Sequence, residues 1–127
     1  MKTQWSQQYV MRTARPHQWR RAKQAELEAR TGVPWTVDMA YGKVRFAPSF
    51  KARDAGQNHN DDDQGAVMGI LNERSWPYHI CFMGLAAMLG WPLGKLFDTL
   101  NTLRWPVAPR VTFSVNRKGD AVAVRAL

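Results

Sequence analysis

A chain of 127 residues is long enough for one compact domain with an appendage and too short for a large multidomain enzyme. Its 45% apolar and 22% charged content excludes global disorder, and its net charge of +8 predicts attraction to polyanions such as nucleic acid or acidic membrane surfaces. A single cysteine, Cys81, excludes an intramolecular disulfide and a Cys-rich zinc site.

The N-terminal MKTQWSQQYVMRTARP lacks the apolar core of a signal peptide, and the longest apolar stretch, Ile80 to Leu93, is too short and Gly-interrupted to span a bilayer. A soluble cytoplasmic protein without a membrane partner is therefore expected. Charge divides the chain into three. Residues 1–53 carry eleven Lys and Arg against three Asp and Glu, residues 54–63 carry four Asp and no base, and the remainder holds seven bases against three acids.

In the basic head, Pro16 opens a helix through HQWRRAKQAELEART that Gly32 stops, with Pro34 beyond. Its apolar stripe of Trp19, Ala22 and Leu27 is thin, so the helix needs a packing partner or an anionic surface. Trp35–Met39 and Lys43–Ala47 then alternate as strands around Ala40, Tyr41 and Gly42, which predicts a β-hairpin. DAGQNHNDDD, residues 54–63, has no large apolar residue and reads as an acidic flexible linker between the extension (1–53) and a second module (64–127).

In the second module, AVMGILNE places Val67, Ile70 and Leu71 on one helical face ending at Arg74. Ser75 reads as the N-cap of a second helix running through Trp76 and Pro77 to Leu89, with Gly90 closing it. Pro92 starts a third helix whose Leu93, Leu96, Leu100 and Leu103 recur at three and four residues. VTFSV and AVAVRA flank NRKGD, predicting a terminal hairpin from whose tip Arg117 and Lys118 project.

The stretch LAAMLGWPLGKLFDTLNTL, Leu85 to Leu103, with the trailing hairpin, resembles the winged helix-turn-helix superfamily of DNA-binding domains. Leu85 and Ala86 match the apolar-Ala pair, Leu89 and Gly90 the turn, Trp91 the apolar residue after it, and Leu96, Leu100 and Leu103 the buried stripe. The resemblance covers residues 64–127. It implies a winged helix-turn-helix there, which with the basic helix and β-hairpin extension read from residues 1–53 gives an expected α+β fold. It also implies a recognition helix entering a major groove, a hairpin touching the neighbouring backbone, and a homodimer.

The sequence departs from that pattern where Pro92, Leu93 and Gly94 stand in place of polar base-reading residues. The outward positions of the third helix are then Lys95, Asp98, Thr99 and Thr102, with Asn101 and Arg104 near its far end. Phosphate contacts fall to Arg110, Arg117 and Lys118, and in the head to Arg20, Arg21 and Lys23. Duplex DNA is the expected partner of a non-enzymatic regulator or accessory protein. A rival reading is a protein-interaction module, an inhibitor or assembly factor, with Leu93 and Gly94 facing a protein groove. A third is RNA or single-strand binding by the head, whose Trp5, Trp19 and Trp35 are interleaved with arginines.

Two other clusters favour plainer readings. His59 with Asp61, Asp62 and Asp63 could gather a hard metal, but consecutive carboxylates diverge, and no metal or other cofactor is expected. His79 and Cys81 fall in the predicted second helix, where two-residue spacing separates them, and Cys81 reads as a small core residue. Trp76, Trp91 and Trp105 each sit beside a proline at an element boundary and are expected in the core.

Overall fold

Helix α1 (Pro16–Thr31) begins at the expected proline and ends at Gly32, whose N–H donates to the Glu28 carbonyl at 2.8 Å and whose φ of 75° turns the chain out of the helix. It is held to the next strand by three bonds around Trp35. The Trp35 N–H donates to the Glu28 carboxylate (3.0 Å), its indole N–H donates to the Thr31 hydroxyl (2.7 Å), and its carbonyl accepts from the Gln24 amide (2.6 Å). Strands β1 (Trp35–Ala40) and β2 (Lys43–Pro48) pair in the register Ala40↔Lys43, each starting where the sequence predicts and running one residue further at its C-terminal end. Tyr41 and Gly42 remain as a two-residue turn with φ of 54° and 74°, the signs of a type I′ hairpin.

The computed structural model describes residues 16–51, 56–73, 78–104 and 109–127. Residues 54 and 55 of the expected linker, Arg74 to Pro77 with the proposed Ser75 cap, Trp76, Trp105 and Trp5 lie outside them. Over its described part the acidic segment is not a free linker. Helix α2 (Asp61–Glu73) starts five residues before the predicted one, because the Asn60 side chain accepts from the Asp63 N–H (3.0 Å) as an N-cap. Asp61, Asp62 and Asp63 fill its first turn, where the helix dipole favours carboxylates.

The predicted second helix also needs correction. His79 precedes a two-residue strand, β3 (Ile80–Cys81), and helix α3 (Phe82–Leu89) begins only after it. Cys81 is exposed rather than buried, and its sulfur caps α3 by accepting from the Gly84 N–H at 3.4 Å. Burial and the Arg125 guanidinium together hold His79 below the usual imidazole pKa. Gly90 closes α3 in the left-handed region at φ 68°, and helix α4 (Leu93–Arg104) follows with Leu93, Leu96, Leu100 and Leu103 all buried.

Strands β4 (Val111–Val115) and β5 (Ala121–Ala126) form the expected terminal hairpin, with an irregularity at Ser114/Val115. β3 joins the other edge of β5, so the sheet order is β3-β5-β4, and Phe50 bridges to Ala121. Among the described residues the architecture is α+β, with four helices and two small antiparallel sheets. Extension and C-terminal half share one core, in which Leu27, Val33, Trp35 and Phe50 are continuous with Val67, Phe82, Leu96 and Val124. Four phenylalanines mark the junction. Phe50 stacks on Phe113 with centroids 4.8 Å apart, and Phe82 lies edge-on to Phe97 at 5.1 Å.

Candidate nucleic-acid interface

The helix expected to read bases is α4, and its outward positions are largely covered. Residues 56–60 run across it. The Asn58 N–H donates to the Thr102 hydroxyl (2.8 Å), and its side-chain amide donates to the Thr99 hydroxyl (3.0 Å) and the Asp63 carboxylate (2.9 Å). Asn101 donates to the Gly56 carbonyl at 3.1 Å. Thr99 is 0% exposed and Asn101 and Leu93 are buried, so none of the three faces solvent as the sequence predicts.

Neighbouring positions are engaged as well. The Lys95 ammonium sits 3.5 Å from the Asp63 carboxylate and 4.4 Å from the centre of the half-buried Trp91 ring. Arg104 lies over Phe50 at 5.3 Å and donates to Asn101 at 2.8 Å. Asp98 and Thr102 are half-buried. Asn58→Ala removes the side chain that ties this segment to α2 and α4, and an expected loss of about 1–3 kcal/mol is checked by the urea midpoint at unchanged m.

A different set of cations converges at the tip of the β4–β5 hairpin. Its loop is organised by Asn116, whose side-chain oxygen accepts from the Lys118 and Asp120 N–H groups, both at 3.0 Å. Its amide donates across to the Thr36 hydroxyl at 3.1 Å, and the Arg117 N–H donates to the Asp38 carboxylate at 3.3 Å. The tip is thus fastened to β1. Asn116→Ala, which deletes three of these bonds, should cost about 1–3 kcal/mol by chemical denaturation.

Two open grooves flank the fastening point. One, of about 440 Å³, lies between Arg20, Arg21 and Gln24 of α1, Val37 to Met39 of β1, and Lys118. The other, of about 400 Å³, has Arg45 of β2 and Arg117 in its walls. Asp38 lines both, so the grooves adjoin. Among the described residues none of these five cations forms an ion pair, and the buried Nε of Arg20 has no hydrogen-bond partner. Five positive side chains face one carboxylate, which is itself held by the Arg117 N–H.

Of the sequence-predicted contacts, the fold therefore brings Arg20, Arg21, Arg117 and Lys118 together. Lys23 instead lies 3.7 Å from Glu26, and Arg110 is exposed beyond α4, where its N–H caps the Leu103 carbonyl. Trp19 and Trp35 are taken up by packing, on Phe46 and in the core. Arg45 and Tyr41 are the groove neighbours that sequence reasoning passed over. Alternation along β2 places Arg45 opposite Asp38, a position visible only once the register is fixed.

Among the described residues no group of His, Cys, Asp or Glu is arranged to hold a metal ion, and no helix is long and apolar enough to cross a membrane. No family model matches the chain, and comparison with curated proteins and with solved structures returned no significant match.

Proposed function

We propose that the protein is a non-enzymatic nucleic-acid-binding accessory factor, built on a winged-helix-type module, that grips the phosphate backbone through the paired grooves at the hairpin tip. The observation that carries this reading is the convergence of Arg20, Arg21 and Lys118 on one groove, with Arg45 and Arg117 on the next. Guanidinium and ammonium groups that form no ion pair among the described residues, on a scaffold held by the Asn116 bonds, suit phosphate oxygens, which accept charge-assisted hydrogen bonds.

The winged-helix part of the reading is supported by chain order: helix, short strand, two helices across a left-handed glycine, then a hairpin. Buried Ala86 permits close packing of α3, and the leucine stripe of α4 faces inward. The covered outer face of α4 favours backbone gripping over base reading. Binding of labelled duplex DNA by the full chain, followed by fluorescence anisotropy from about 50 to 300 mM NaCl, tests the proposal. A steep fall in affinity with salt is expected, and no binding at low salt or a flat dependence overturns it.

A protein partner is the second reading. Its original motive, an outward Leu93, is gone, but Met83 and Ala87 lie exposed one helical turn apart on α3. A stoichiometric, nuclease-resistant protein partner would favour this alternative.

A further inference from the structure

The β1–β2 turn carries a residue that its geometry does not call for. A type I′ turn needs positive φ at both central positions, which Asn-Gly or Gly-Gly supplies without steric cost. This turn has Tyr41 at φ 54° followed by Gly42, and Tyr41 is the one non-glycine residue with positive φ among those described. A bulky side chain there is disfavoured by contact between Cβ and the carbonyl oxygen. Tyr41 gains nothing from burial in return, since it is 85% exposed. Its contact within the fold is the Arg45 guanidinium, 5.7 Å above the ring centre, which leaves the rest of the ring open.

Through Arg45 that ring adjoins the cationic grooves. Met39, two residues before Tyr41, lines the groove of Arg20, Arg21 and Lys118, and Arg45 lines the adjoining one. An exposed aromatic next to a track of phosphate-binding cations is the arrangement by which proteins hold single strands: the backbone follows the charge while a base stacks on the ring. We infer that Tyr41, with Arg45 stacked against it, is a platform for an unpaired nucleobase, and that single-stranded nucleic acid is the preferred ligand of the grooves. The inference rests on the backbone-gripping reading above and adds the strand state of the ligand. Duplex DNA offers its phosphates to the same cations but keeps its bases inside the stack, where Tyr41 cannot reach them.

The test uses the full chain, a labelled oligothymidylate of about twelve nucleotides and a blunt duplex of similar length, both read by anisotropy at low salt. Tyr41→Ala and Tyr41→Asn are expected to weaken oligothymidylate binding about tenfold, with duplex affinity changed less than about twofold, and Tyr41→Phe is expected to bind both as the parent does. Tyr41→Asn also installs the favoured Asn-Gly turn, so its melting temperature should rise by about 3 °C, separating lost stacking from lost folding.

Unchanged oligothymidylate binding by the Ala and Asn variants, or equal losses on both ligands, overturns the inference. If the parent binds duplex with steep salt dependence but not oligothymidylate, the platform falls while backbone gripping stands. If it binds neither, both fall.

Discussion

Phe82→Ala is expected to destabilise the protein by about 3–5 kcal/mol, the largest single-residue effect in the fold. Phe82 is 0% exposed and opens α3 directly after the Cys81 cap. Its ring meets three partners from separate parts of the chain: Phe50 of the extension at 6.3 Å, Phe97 of α4 at 5.1 Å and Phe113 of β4 at 6.1 Å. Truncation leaves a cavity whose walls belong to elements fixed by other contacts, so little collapse is available to offset the loss. Urea unfolding should show a lower midpoint at unchanged m, and Met83→Ala, on the exposed side of the same helix, should stay within about 0.5 kcal/mol of the parent. A Phe82→Ala loss under about 1 kcal/mol would contradict a core shared by extension and C-terminal half.

Replacing Arg20, Arg21 and Lys118 together with alanine is expected to give the largest functional effect, a loss of about tenfold in nucleic-acid affinity for each cation removed. The signature lies in the salt dependence. Each phosphate contact contributes about 0.9 to the slope of log affinity against log salt on duplex DNA, so the triple variant should flatten the slope by roughly 2.7. Arg21 and Lys118 are exposed, Arg20 is half-buried, and none of the three forms an ion pair among the described residues, so the fold should tolerate the change. Lys95→Ala is the matched control: its ammonium faces Asp63, and its removal should alter the slope by less than about 0.5. Equal slopes for the triple variant and the parent would remove the groove from the binding surface.

Local signals in the sequence were reliable where one residue dictates the backbone. Gly32 and Gly90 end their helices with positive φ, Pro16 begins one, and Leu96, Leu100 and Leu103 of α4 face inward as their spacing predicts. The composition of the acidic segment suggests a linker, but its capping residues make a helix start. Asn60 followed by three aspartates is also the pattern of a helix N-terminus, and the helix dipole turns that charge run into a first turn. β3 had no such signal. Two residues carry no periodicity, and Ile80 and Cys81 are extended because β5 pairs with them.

The candidate site was legible only in fragments for the same reason. Arg20 and Lys118 are 98 positions apart in the sequence, and their meeting depends on Asn116 reaching Thr36 and Arg117 reaching Asp38. Likewise, helical spacing correctly identified the polar positions of α4 but not the segment that lies across them. Thr99 is polar because its hydroxyl serves Asn58 and the Lys95 carbonyl, an internal role that spacing alone does not distinguish from display to a ligand.

The order β3-β5-β4 places the strand nearest the C-terminal end of this sequence at the centre of its sheet. As the chain leaves the ribosome, β3 and β4 emerge before the strand that hydrogen-bonds to both, and Phe50 waits for the same strand to complete its bridge to Ala121. Folding of this half is therefore held back until synthesis has passed Ala126. A chain stalled at Gly119 would present two unpaired strand edges and an incomplete core, making it a substrate for chaperones and proteases rather than a smaller version of the protein.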